Sequence, residues 1–129
     1  MSGSAALLRR YAVPVAACAG ILHSFSFAPL AQRWLAPVTL ALLYGLWDGV
    51  SARRAASIGA SFGAGLFLVG TFWIYHSVHT VAHAPVAIAL LLLAGLVVIM
   101  ASYPALLGAV VSRFAGASGP RRRGLLLTA

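Results

Sequence analysis

The sequence predicts an all-α membrane protein with four transmembrane helices, a cytoplasmic N-terminus and the start of a fifth helix at its end. Three observations predict it. The chain is 62% hydrophobic and 8% charged, whereas roughly a quarter of the residues of a soluble domain carry charge. Residues 55–112 form an unbroken run of 58 residues with no Asp, Glu, Lys or Arg. The basic residues, all arginine, stand singly or in short runs at the edges of apolar stretches, the distribution by which span ends set orientation.

A helix needs ~20 apolar residues to cross ~30 Å of hydrocarbon, so the uncharged run holds two spans and a turn. The chain opens with a polar cytoplasmic segment, 1–10, ending in Arg9-Arg10. A first span is expected over 11–30, closed by Phe27-Ala28-Pro29, because proline lacks an N–H and crowds the preceding turn. A tight turn at 31–33 leads to a second span over 34–50, with Trp34 and Trp47 near its two ends at headgroup level. Asp48, the chain's only acid, is read as a solvated or ion-paired boundary residue near Arg53 and Arg54.

After a loop at 51–54, the third span is expected over 55–77 and the fourth over 85–112. Pro85 suits a helix start, where its missing N–H costs nothing, and Pro104 should kink the long fourth span. Residues 113–129 read as a basic Gly/Ser/Pro loop followed by Gly124-Leu125-Leu126-Leu127, the truncated beginning of a fifth span. With the N-terminus inside, eight of the nine arginines fall on the cytoplasmic side and only Arg33 outside. The segment 76–85 then faces outward.

The net charge of +8 does not indicate nucleic acid, because the arginines are not clustered with interleaved aromatic or polar groups. Cys18, the single cysteine, excludes an internal disulfide. Val15-Ala16-Ala17-Cys18 resembles a lipoprotein attachment box, but only Tyr11 to Pro14 separate it from Arg10, too few for the ~7–15 apolar residues of a signal peptide. The segment is read as a retained anchor.

In the third span Gly59, Gly63, Leu66, Gly70, Trp73 and Ser77 recur every three or four residues and share a face. Glycines Gly59, Gly63 and Gly70 are expected to pack against another helix, since small residues let backbones approach in lipid. Trp73, Tyr75, Ser77 and His79 are candidates to meet a lipid headgroup at the outer end. His76, His79 and His83 would share a face if the helix continued, which raises a zinc or copper site, but no carboxylate or thiolate accompanies them and no metal is expected. A haem between His23 and a third-span histidine is disfavoured by depth, ~18 Å against ~32 Å along the helices. No cofactor is expected, and Glu and Lys occur nowhere in the chain.

Taken together, Phe27-Ala28-Pro29 with Trp34, then Gly59, Phe62-Gly63 and Gly65, then Gly70, Trp73, Tyr75, Ser77 and His79, then Tyr103-Pro104-Ala105-Leu106 with Gly108, follow one another in a recognisable order. This ordered set resembles the N-terminal membrane region of bacterial apolipoprotein N-acyltransferases and covers 21–129. The resemblance implies an inner-membrane, multi-pass enzyme that moves an acyl chain from phospholipid to the N-terminal diacylglyceryl cysteine of a lipoprotein. It also implies eight spans and a periplasmic nitrilase-like domain with a Glu–Lys–Cys triad. No triad residue has a counterpart here, so the expectation is a membrane scaffold, inactive alone, whose partners are membrane phospholipid and, through the missing domain, a lipoprotein substrate. The alternatives are a self-contained four-helix membrane protein holding a lipid or metal at the outer leaflet, or a subunit for assembly.

Overall fold

A computed structural model describes residues 10–27 and 32–126, with 116–126 described as backbone. The polar start before Arg10 and the kink expected at Pro29 lie outside the described residues. Among the described residues the chain is all helix: α1 Ala12–Ser24, α2 Leu35–Trp47, α3 Ala52–Gly70, α4 Phe72–His76, a π-helical turn Ser77–Val81, and α5 Val86–Leu126.

Helices α1 and α2 are shorter than expected. Each has 13 residues, ~20 Å of rise against ~30 Å of hydrocarbon. Helix α1 stops because two serine hydroxyls turn back onto it: Ser24 donates to the Ile21 carbonyl and Ser26 to the His23 carbonyl, each at 2.6 Å. Three successive bonds to the residue three back, at Phe25, Ser26 and Phe27, tighten the exit. Helix α2 ends at Asp48, which is extended, and at Gly49, whose φ of 64° is open to glycine at little cost. Pro14 and Pro37 each sit in a first turn, where an N–H has no helical partner to lose. The Gln32 N–H donates to the Phe25 carbonyl and ties the hairpin's two arms.

Helix α3 starts earlier than the sequence suggested. Ser51 caps it by accepting from the Arg54 N–H, so Arg53 and Arg54 occupy the first turn and not a loop. The third span is also bent: α3 and the α4–π segment meet at 46°. The break falls at Thr71, whose hydroxyl donates to the Phe67 carbonyl and whose φ of −111° leaves the helical range. Helix α5 is continuous through Pro104 and on through 113–123, where a turn was expected. It does so across Gly116, Gly119 and Pro120, all residues of low helix propensity.

By length and composition, Val86–Ala115 of α5 can cross a membrane, and the bent α3–α4–π pair can form a second crossing if it is one span. The other two long helices among the described residues, α1 and α2, are apolar and shorter.

The molecule is built on α3, which carries two glycine-bearing contact faces. Toward α5, a Cβ added to Gly59 would stand 2.1 Å from the Pro104 carbonyl oxygen, and one at Gly63 would stand 2.7 Å from the Ala101 Cα. On α5, a Cβ at Gly108 would stand 2.7 Å from the Ala55 carbonyl oxygen. Ascending α3 through 55, 59 and 63 meets α5 in descending order, 108, 104 and 101, so the pair is antiparallel. Toward α1, a Cβ at Gly65 would meet the Ala17 carbonyl at 2.3 Å and one at Gly20 the Phe62 carbonyl at 2.0 Å. Ala12, Ala16 and Ala19 on α1, with Leu43, Leu46 and Trp47 on α2, complete the core around Ala55, Ile58 and Phe62.

Trp47 departs from the headgroup position expected for it. It is buried, packs edge-on against Tyr44 at 5.2 Å and fills the space left by Gly108. Its indole N–H has no hydrogen-bond partner, which ranks packing volume above polar satisfaction at this corner.

These contacts predict a graded response to methyl groups. Gly59→Ala should destabilise the fold by about 1–3 kcal/mol through overpacking, whereas Gly95→Ala, which meets open space, should change stability by less than about 1 kcal/mol and in the favourable direction. Reversible unfolding in detergent checks this, and equal effects at the two positions would refute the close-contact account.

Candidate functional site

Beyond the bend at Thr71 the chain runs through an aromatic and histidine segment before turning into α5. Phe72, Tyr75 and His79 lie at steps of three and four and stack: Phe72 on Tyr75 at 5.7 Å and 26°, Tyr75 on His79 at 5.6 Å and 28°. Offset stacking of this kind adds about 0.5–1.5 kcal/mol per pair beyond area burial. Trp73 lies outside the stack and is exposed. Ser77 is half-buried, and its carbonyl accepts the Ala82 N–H at 3.0 Å, the wide bond that makes the π-helical turn.

The π-helical turn separates the three histidines. A helix continuing at 3.6 residues per turn would have aligned them, but His79 Nδ1 lies 3.0 Å from the Ala84 carbonyl, His76 Nδ1 lies 3.3 Å from the Thr80 hydroxyl, and His83 Nδ1 lies 3.0 Å from the Val81 carbonyl. His83 also adopts a φ of 55°, in the left-handed region. Each ring thus serves its own stretch of backbone or a neighbouring hydroxyl. Among the described residues no three His, Cys, Asp or Glu side chains gather as a metal group would require.

Gly59 and Gly63 stand at backbone contact with α5, as described above. Gly70 does not: a Cβ there meets nothing within 4 Å. It lines a cavity of about 240 Å³ with Ser24, Phe27, Leu66, Phe67 and Thr71. Its small size leaves space beside the end of α1, where the sequence suggested helix contact.

The sequence reading missed a buried polar pair inside the bundle. His23 on α1 and Thr39 on α2 meet with Nδ1 and Oγ1 2.6 Å apart. Thr39 is hydrogen-bonded in turn to the carbonyls of Leu35 at 2.8 Å and Ala36 at 3.1 Å. The His23 ring is edge-on to Phe62 at 5.5 Å and to Phe27 at 5.8 Å, which fixes its plane. One signal was available: each is a polar residue in a largely apolar stretch, and positions 23 and 39 are equally far in sequence from position 31.

Together these features define, among the described residues, an all-helical protein with a helix long and apolar enough to cross a membrane and close glycine contacts in its core. The family described as "Apolipoprotein N-acyltransferase N-terminal domain" matches residues 19–129. The chain belongs to that family. It is similar to the apolipoprotein N-acyltransferase of Photobacterium profundum, 36% identical over 96 residues that cover 74% of this chain and 19% of that protein. It is likewise similar to those of Methylococcus capsulatus, 38% identical over 75% of this chain and 19% of the relative, and Vibrio vulnificus, 39% identical over 84% and 22%. The chain thus spans about a fifth of the length of the curated relatives it matches.

The stack makes a direct prediction. Tyr75→Ala should shift the His79 ring-proton resonances downfield, because the shielding ring above them is gone, while leaving the α3–α5 contact intact. Unmoved His79 resonances would show that the two rings do not stack.

Proposed function

We propose that this chain is the N-terminal membrane scaffold of an apolipoprotein N-acyltransferase in the bacterial inner membrane. The match of residues 19–129 to that family's N-terminal domain carries the reading. The N-terminus is cytoplasmic, and four segments cross. Helices α1 and α2 cross as a hairpin in which the Phe25–Phe27 turn and the flanking residues supply the depth that 13-residue helices lack, a modest mismatch for a bilayer to absorb. The bent α3–α4–π segment and α5 form the second pair.

In this arrangement Trp73, Tyr75, Ser77 and His79 lie at the outer surface. Trp73 is exposed there, as suits an amphipathic ring at headgroup level, and the stack beside it is a rigid aromatic surface for phospholipid. The scaffold holds a periplasmic catalytic domain against the outer leaflet, where phospholipid donor and lipoprotein acceptor meet. Alone the chain does not transfer acyl groups: the carboxylate base and lysine of a Glu–Lys–Cys mechanism cannot come from a sequence that has neither residue.

Two outcomes are expected. In cells depleted of their own enzyme and given only this chain, mass spectrometry of lipoprotein N-termini should find two acyl chains and no third; a third acyl chain would overturn the scaffold reading. In a Cys18→Ser background, Ser77→Cys should react with an impermeant thiol reagent from the periplasmic side, and labelling from the cytoplasm alone would invert the topology.

A further inference from the structure

We propose that the end of the bundle marked by Trp47, Ala55 and Gly108 binds phospholipid of net negative charge, each lipid phosphate meeting an exposed arginine. The helix contacts bring four arginines to that end. His23, Thr39 and Phe62 stand at one height, joined by the His23–Thr39 bond and the edge-on contact of His23 with Phe62. Trp47 and Ala55 meet at Gly108, lower in the bundle. Counted at ~1.5 Å per residue from these levels, Arg10 lies ~20 Å below His23, Arg53 ~14 Å, Arg54 ~12 Å and Arg113 ~18 Å. The spread of ~8 Å is about that of one headgroup layer, ~5–8 Å on each side of the hydrocarbon. Arg33 precedes α2 and lies at the opposite end.

Charge gathers at this end against the local electrostatics. All four arginines are exposed. Asp48, the chain's only acid, lies at the same end, and one carboxylate cannot neutralise four guanidinium groups. The first turn of α3 contains no acid, although the positive end of the helix dipole favours anions there and disfavours cations. Arg53 and Arg54 occupy that turn instead, so an anion supplied from outside relieves a repulsion that the chain itself leaves in place.

The surroundings of the arginines select an amphiphile. The Arg10 guanidinium lies 5.8 Å from the ring of Tyr11, which is exposed, and Arg113 is followed by Phe114, also exposed. A lipid carries its phosphate above its acyl chains and covers charge and ring together; a free phosphate or a nucleic acid would pair with the charge and leave the rings in water. The arginines come from the start of α1, the first turn of α3 and α5, not from one pocket, so they take separate lipids and the preference is for charge over headgroup shape. A basic segment beside a membrane-spanning helix attracts anionic lipid in this way. The proposal rests on the membrane reading of the chain, and neither on its orientation nor on the acyltransferase reading.

The test uses the full chain in phosphatidylcholine vesicles holding a trace of spin-labelled phosphatidylglycerol or spin-labelled phosphatidylcholine, with the immobilised fraction of each read by electron spin resonance. At low salt, phosphatidylglycerol should associate about two- to fivefold more strongly; fivefold is the contribution of one arginine near the surface, and contacts elsewhere on the protein dilute it. The ratio should fall towards one in about 1 M salt, where charges are screened beyond ~3 Å. The combined variant Arg10→Gln, Arg53→Gln and Arg113→Gln should lose at least about half of the preference, one guanidinium's share at each position. The same three positions changed to lysine should keep it, and Arg33→Gln should leave it unchanged. Equal association of the two lipids, a preference that survives high salt, or one that the glutamine variant retains in full would overturn the proposal. If neither lipid is immobilised, the membrane reading fails with it.

Discussion

Everything in this molecule hangs on the backbone-to-backbone approach that glycine permits along α3. Hydrocarbon tails are as apolar as leucine, so no hydrophobic force draws two helices together in a bilayer; association rests on dispersion between closely packed atoms. Gly59 and Gly63 bring α3 onto the Pro104 carbonyl and the Ala101 backbone of α5, and Gly65 brings it onto the Ala17 carbonyl of α1. One helix therefore touches both neighbours along its backbone. Away from that contact α5 presents large side chains such as Leu91 and Val98 outward.

The same geometry explains how two short helices are held. Helix α1 contributes alanines and a glycine, which add little surface, so its position is fixed by proximity to α3 and by the His23–Thr39 bond to α2. A hydrogen bond of this kind is worth about 0.5–1.5 kcal/mol net, and its second value is directional: it sets the register of the hairpin's arms. At the other end, the Thr71 hydroxyl releases α3 from its axis by 46°. The stacked segment of Phe72, Tyr75 and His79 thereby leaves the α3 axis while keeping contact with α5.

Sequence reading reached the features that periodicity encodes. The four-residue spacing of Gly59 and Gly63 gave the helix and its small-residue face, and the break at 76–85 gave a turn between two long helices. It did not reach features set by a partner's identity. Gly70 keeps the spacing of Gly59 and Gly63, yet a Cβ there would meet nothing within 4 Å, so the same pattern leaves a cavity beside the end of α1. Trp47 belongs at an interface by residue type, but Gly108 provides a vacancy that only a large ring fills. The shared face of His76, His79 and His83 assumed a constant 3.6-residue turn, and the π-helical bond at Ala82 breaks that phase. Helix lengths in the first hairpin were overestimated because hydropathy counts Phe25 and Phe27 as span, whereas Ser24 and Ser26 draw the carbonyls out of the helix.

The α3–α5 register is the claim on which the rest depends, and crosslinking in native membranes measures it directly. Ala64 and Ala101 line one cleft between the two helices. With Cys18→Ser as background, the pair Ala64→Cys and Ala101→Cys should form a disulfide rapidly under mild oxidation, and Ala64→Cys with Val110→Cys should not. Equal crosslinking of both pairs, or of neither, would contradict a glycine-locked antiparallel pair.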